Sequence, residues 1–386
     1  MRRRSWTGWL GLVALCLFAG MVGSVTAQPL PIRIGMSLPL SGPNASFGEG
    51  LRHGAELAVA RANAAGGIAK RPLELVVLDD GGQPQRAAAN ATELMTRDIV
   101  ALTGVHGADA VAAVDARLSA RSAAATPALV GPVTGEESLR SPPRPNLFFL
   151  RASINDEARV AMLHLDTLGI TRYAVLAQDG LFGDAGQQSM LTELVRIAIR
   201  PVAQERLPVR SSAADLESAL TRACAESPQV LVLALGVDSA EAAVRKARTM
   251  NCAGQFLTFS EVGAALAARQ ASPGAPHPMA GVLVTQVMPN ASNRSQPLAA
   301  EYQDAARASG VRPGGYPSME GYFAIRVIEA ALRECASDVG PTCLRRILES
   351  RPIEVAGQRV LLGPSHRMEE PFVDITLMTR EGRFRR

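Results

Sequence analysis

Aromatic residues are scarce, 4% of 386 residues, so any core has to be assembled from many small aliphatic contacts, and the 47% apolar share, much of it in Ala-rich stretches, supplies them. Charge of one sign is lacking as well. The chain carries 40 Lys+Arg against 36 Asp+Glu, and three of the basic residues are Arg2, Arg3 and Arg4; without those three, 37 face 36. A surface so balanced offers no field for tracking phosphates, which excludes nucleic acid as the expected partner. Cysteine is sparse, with no Cys-x-x-Cys pair, and His53, His106, His164, His277 and His366 are scattered, so no metal site is expected. Also missing are a Gly-x-Ser-x-Gly elbow, a phosphate loop, a His-Glu-x-x-His pair and a Gly-x-Gly-x-x-Gly after the first strand pattern. Asp79 and Asp80 are adjacent and point to opposite faces of a strand, so they do not share a site. The expectation is a protein that is not an enzyme and uses no cofactor. Mean hydropathy of +0.09 and this length argue against disorder, collagen or coiled coil and leave room for two cores of about 150 residues each.

What is present begins with an export signal. Arg2 to Arg4 precede an apolar run from Trp9 to Val22, and Val25-Thr26-Ala27 places small residues at −3 and −1, so residues 1–27 read as a secretory signal peptide cleaved before Gln28. The run is 14 residues long, short of the roughly 20 needed to span a bilayer, and no later segment reaches 18 uninterrupted apolar residues. Cys16 lies inside the run behind Leu15, which is too large for a lipoprotein cleavage site. The mature chain is therefore expected to be soluble and periplasmic, with Cys224, Cys252, Cys335 and Cys343 in an oxidising compartment. Four cysteines allow three pairings. The simplest joins neighbours: Cys335 with Cys343 across a Gly/Pro loop, and Cys224 with Cys252, each of which ends a helix before a strand. The alternative leaves all four as small free hydrophobes.

Short β-branched or Leu-rich runs alternate with longer helical patterns: Ile32 to Leu40, then a helix over Glu49 to Ala65, a strand over Leu73 to Asp80, a helix over Gln85 to Arg97, a strand over Ile99 to Gly104. After a helix over Asn155 to Gly169 the alternation restarts at Tyr173. Strand, helix, strand at this spacing predicts an α/β protein with parallel sheets covered by helices, and the restart predicts two doubly wound domains. Late elements are a strand over Gly281 to Val287, helices over Leu298 to Ser309 and Met319 to Ala336, and a strand over Val373 to Thr379. Ligands of open α/β sheets gather at the carboxyl ends of strands, which singles out the loops Ser41 to Gly48, Gly104 to Asp109, Gly131 to Gly135, Gln178 to Gly183, Gly236 to Asp238 and Ser260-Glu261.

The blocks IGMSLPLSGPNASFGEGLRHGAELAVARANAAGGI, LVVLDDGGQPQRAA, LFFLRASINDEA and YAVLAQDGLFGDAG, with MEGYFAIRVIEAALREC and VDITLMTREGRF near the end, closely resemble the type I periplasmic binding proteins of the leucine/isoleucine/valine class. The resemblance spans nearly the whole mature chain. It implies two lobes joined by three crossovers, here residues 28–150 with 287–356 and 151–286 with 357–386. It further implies closure on a small organic solute, an amino acid or related compound, and delivery to a membrane ABC permease by a monomer. The other reading of the same fold is a periplasmic sensor feeding a receptor or regulator, and a third is an orphan binder of an aromatic or aliphatic acid.

A zwitterion needs N–H groups and hydroxyls for its carboxylate, a carboxylate for its ammonium and apolar walls for its side chain. By the resemblance, Phe47 and Phe182 stand where the family places aromatic walls, usually Tyr; ordinary core packing is the alternative for each. Gly104 to Asp109 occupies the place of a serine-rich carboxylate contact but reads Gly-Val-His-Gly-Ala-Asp, a departure that counts against an amino acid. Gly107 and Ala108 still offer backbone N–H groups at a helix start, and His106 either adds a donor or is a surface residue. Val133 and Thr134 lie at the family's hydroxyl position, with helix capping the alternative for Thr134. Glu261 stands at the place of the ammonium-holding glutamate, or is a first-turn acid favoured by the helix dipole; Asp238 has the same ambiguity and leans toward a helix cap.

Overall fold

The computed structural model describes residues 29–122, 126–267, 275–336 and 338–386; the expected signal peptide lies outside them. The first sheet is built by β1 (Ile32–Leu38), α1 (Ala45–Ala64), β2 (Leu73–Asp79), α2 (Pro84–Met95), β3 (Ile99–Thr103), α3 (Ala108–Ser119), β4 (Ala128–Val130) and β5 (Leu147–Phe148). Its order is β2-β1-β3-β4-β5, parallel throughout. The chain then crosses to the second lobe through α4 (Ile154–Thr167), β6 (Tyr173–Gln178), α5 (Leu181–Arg196), β7 (Ala203–Leu207), α6 (Ala213–Ala225), β8 (Val230–Ala234), α7 (Val237–Thr249), β9 (Gln255–Thr258), α8 (Ser260–Ala267) and β10 (Val282–Gln286).

It returns to the first lobe with α9 (Pro297–Ala308), α10 (Tyr316–Arg333), α11 (Pro341–Ser350) and a hairpin of β11 (Ile353–Val355) and β12 (Gln358–Val360). Antiparallel β13 (Asp374–Met378) and β14 (Phe384–Arg385) complete the second sheet, ordered β14-β13-β10-β9-β8-β6-β7. The fold is thus α/β with two lobes, as the alternation predicts. Strands covered on both faces read as near-continuous apolar runs, and β8 (VLVLA) is buried at every position. Its alternate side chains enter different cores, Leu231 and Leu233 on one face, Val230 and Val232 on the other.

The first lobe's main core joins β1, α1, α10 and α11, and Ile353, Val355, Val360 and Leu362 of the hairpin region enter it too. Small residues set its closest approach: a Cβ on Gly54 would lie 1.7 Å from the Ser318 carbonyl oxygen, and one on Gly321 would lie 2.1 Å from that of Leu51. Cys224–Cys252 and Cys335–Cys343 form the two disulfides, the neighbour pairing.

Boundaries differ from the sequence reading at two informative places. Helix α1 starts at Ala45, not Glu49, so Phe47 belongs to its first turn instead of a loop. Gly236, not Asp238, caps α7; its backbone is extended and its N–H is donated to Gln178 Oε1 over 3.0 Å, which leaves Asp238 inside the first turn, where the helix dipole favours an acid. The Asp pair also finds its role here. Asp79 accepts Leu40 N–H (2.9 Å), Ser41 Oγ–H (2.7 Å) and Gly81 N–H (2.8 Å), bonds led by Ser41 that hold its carboxyl down at about 2. Asp80 accepts Ser37 Oγ–H instead, at 2.8 Å. Asp79 thus ties down the Ser-Gly-Pro loop that delivers Phe47, while Asp80 anchors β1.

Candidate functional site

Two loops at the carboxyl edge of the first sheet are knitted together by backbone bonds. Gly107 donates to the Val133 carbonyl (3.0 Å) and Val133 to that of Val105 (2.9 Å). Gly107 therefore has no N–H left to offer; at φ +91° it supplies the turn into α3, and Ala108, first in that helix, keeps an N–H without an intrahelical acceptor. His106 sits between these loops with its ring 4.5 Å from that of Phe47. Burial, helped by the nearby Arg151 guanidinium, pushes its imidazole down to about 4, so it is neutral, and its Nε2 is buried without a hydrogen-bond partner. Thr134 is buried; its Oγ1 accepts the Glu136 N–H (3.2 Å) and its carbonyl accepts Arg140 (2.7 Å).

The second lobe reaches this edge through α8. Glu261 Oε2 accepts the N–H of Gly135 at 3.4 Å, a contact between the lobes next to Thr134. Burial raises the Glu261 carboxyl to about 7, opposed by Arg151 and the Gly135 N–H and reinforced by the negative charges of Glu157 and Glu320. Ser260 beside it is held by Glu157, which accepts both its N–H and its Oγ–H at 2.9 Å and the hydroxyl of Thr285 besides. A cavity of about 10 Å³, room for roughly one water, is lined by Phe47, Arg151, Ser260, Gln286, Tyr316 and Glu320 among others. Farther along the seam the Tyr316 ring of α10 packs edge-on against Phe384 of β14, with centroids 5.3 Å apart.

Phe47, His106, Thr134 and Glu261 are thus brought to one place, with Gly107, Ala108 and Val133 in the loops that hold it. Phe182 is half-buried and meets Phe259 edge-on at 6.2 Å, packed against both cores of the second lobe. Asp238 is exposed, outside the buried group. Sequence reading did not find Arg151, Glu157 or Glu320, and singled out the Ser260-Glu261 loop without giving Ser260 a role. A signal existed for the first two: Ser153 and Asp156 form a capping box that fixes the start of α4. Among the described residues no group of His, Cys, Asp and Glu is placed to hold a metal, and no helix is long and apolar enough to cross a membrane.

Known proteins share this architecture. An amino acid binding protein of Pseudomonas aeruginosa is 26% identical over 347 residues, 89% of each chain. A Leu/Ile/Val-binding protein homolog of Brucella melitensis is 25% identical over 369 residues, 95% of this chain and 96% of that one. The crystal structure of a possible leucine/isoleucine/valine-binding protein from Rhodopirellula baltica superposes with a TM-score of 0.80 at 25% identity, covering 93% of this chain and 96% of that one. Residues 31–377 match the family model described as periplasmic binding protein. That span takes in the first sheet and all of the second but its last strand and the end of the one before it, and the chain belongs to the periplasmic binding protein family, whose members bind solutes outside the cytoplasm and are not enzymes.

Proposed function

We propose that this protein, exported to the periplasm by cleavage of residues 1–27, captures an amino acid or a closely related amino-bearing solute between its lobes and delivers it, as a monomer without cofactor, to an ABC permease. The observation that carries the reading is the Gly135–Glu261 contact. It sets a half-buried carboxylate at the seam of the lobes, and such a group gains more from a solute ammonium than a fully exposed acid would. In this reading the Ala108 N–H and the Thr134 hydroxyl hold the solute carboxylate at the start of α3, and neutral His106 adds a hydrogen bond. Phe47, Val133 and Phe182 supply apolar walls. Asp238 is read as a helix-terminal acid. The names of the relatives from Pseudomonas aeruginosa and Brucella melitensis support the solute class. We take the lobes to divide at 150/151 and 286/287; the last boundary moves from 356/357 to just after Met368, because Val360, Leu362 and Met368 pack in the first lobe's core and Phe149 is bonded through its backbone to His366 and Met368. Closure is solute-driven, since contacts from both lobes form only in the shut state.

Thermal-shift screening of refolded, solute-stripped protein against amino acids, amides and small carboxylates tests this. A solute at 100 times its Kd adds about 2.7 kcal/mol of stability. An amino acid should do so in the wild type and lose tenfold or more in affinity in Glu261→Gln; equal binding by the variant, or binding of carboxylates alone, overturns the reading.

A further inference from the structure

Arg151 lies on the first crossover, between β5 and α4, and is 2% exposed. Its guanidinium reaches into both lobes, with Nη1 donating to Glu320 Oε1 of α10 at 3.3 Å and Nη2 to Ser260 Oγ of α8 at 2.6 Å. Glu157 of α4 stands 3.9 Å from the same nitrogen. Two buried carboxylates, Glu157 and Glu320, therefore flank one guanidinium, and the half-buried Glu261, next in the chain to the Ser260 that Arg151 holds, feels its charge as well. The neighbouring Arg140 makes no hydrogen bond to them, since its donors go to the carbonyls of Thr134, Arg151 and Ala152, and its charge favours the ionised form of Glu320. His106, on the loop before α3, is neutral. Glu157 is already supplied with hydrogen bonds by Ser260 and Thr285 and needs Arg151 least. Glu261 has one long bond from Gly135, and the Arg151 charge is the strongest influence favouring its ionised form.

We infer that Arg151 is the positioning residue of the solute site: held by Glu320 from one lobe and Ser260 from the other, it keeps Glu261 charged and aligned for a cationic group when the lobes are shut. This rests on the reading that the solute amino group meets Glu261. It goes beyond it in making the charge on Glu261 a property of a crossover residue and of a glutamate in the opposite lobe. The two neighbours act with opposite sign. Taking away the guanidinium removes the cation that favours the ionised form, whereas taking away the Glu320 charge removes a repulsion and leaves Arg151 undivided.

The test needs no solute at first. Melting temperatures are measured from pH 5 to 9 for the full mature chain, for Arg151→Met, Arg151→Lys and Glu320→Gln, and for each of these combined with Glu261→Gln. The difference within each pair, followed against pH, reports the ionisation of Glu261 alone. Its midpoint should rise in Arg151→Met, fall in Glu320→Gln and return toward the wild-type position in Arg151→Lys. Loss of packing would lower all melting temperatures without moving midpoints in opposite directions. Affinity for a panel of the twenty amino acids, measured at pH 7 on the same proteins, should drop tenfold or more in Arg151→Met. Midpoints that stay put or move together overturn the inference; should Arg151→Met not fold, Glu320→Gln and Arg151→Lys still decide it. If no amino acid binds the wild type, the proposed function fails on its own, while the midpoints still read the hold of Arg151 on Glu261.

Discussion

Glu261, at the start of α8 in the second lobe, accepts the backbone N–H of Gly135 in the first, and this 3.4 Å contact is made by a carboxyl that burial has raised to about 7. An acid whose folded value lies above its unfolded value near 4.5 binds its proton more tightly when folded, so the solute-free protein loses stability as pH climbs from about 4.5 through 7. Glu261→Gln abolishes that loss. Urea titrations without solute should find the variant more stable by about 2 kcal/mol at pH 8 and nearly equal to the wild type at pH 4.5. Equal stability at pH 8 would show that the carboxylate is not desolvated.

His106 has the opposite dependence. Its folded value is held down to about 4 by burial and by Arg151, so its contribution is complete above the unfolded value near 6.5 and drains away as pH falls toward 4. Since the side chain is part-exposed, we expect about 2 kcal/mol across that window, less than the full shift implies. His106→Gln should flatten this part of the acid limb in chemical denaturation between pH 6.5 and 4. A limb of unchanged steepness would place the imidazole in solvent.

The disulfides differ in the chain they close. Cys224–Cys252 spans 28 residues and Cys335–Cys343 only 8. Constraint of the unfolded chain then gives about 3.5 kcal/mol for the longer loop and about 2.5 kcal/mol for the shorter. Paired Cys→Ser replacements, compared by urea midpoints, should rank in that order, with both variants still folded at 25 °C.

The contact between α1 and α10 leaves no room for a methyl group. Gly54→Ala would press its Cβ against the Ser318 carbonyl oxygen and forces the helices apart, at a cost of about 3 kcal/mol or more. The half-buried Gly340, where a Cβ meets nothing within 4 Å, is the control. Gly340→Ala should melt within a degree or two of the wild type, and Gly54→Ala far below it.

Periodicity made most of the scaffold readable. The apolar run from Ile32 contains β1, the run from Tyr173 is β6, and the restart between them marks the second lobe, because strand and helix periods are written in neighbouring residues. Hairpin β11–β12 and strand β14 escaped notice: two or three residues carry no period. The site divided along the same line. His106 and Thr134 sit on loops, and Phe47 and Glu261 in the first turns of helices, that follow strands, a position that is a local signal. Arg151 and Glu320 gain their meaning from partners far along the chain, with 169 residues between those two and 109 between Arg151 and Ser260. Gly107 shows the converse: its place at a helix start was legible, yet whether its N–H was free depended on Val133, on another strand's loop.

Tyr316 touching Phe384 ties the edge of the second sheet to α10 of the first lobe. Both tryptophans, Trp6 and Trp9, precede Gln28, so in the mature chain proposed above, residues 28–386, ultraviolet emission comes from Tyr173, Tyr302, Tyr316 and Tyr322. Tyr173, Tyr302 and Tyr322 are fully buried inside individual lobes. The phenol of Tyr316 stands alone at the joint, which makes it a built-in optical gauge of jaw motion, requiring no dye and no engineered label.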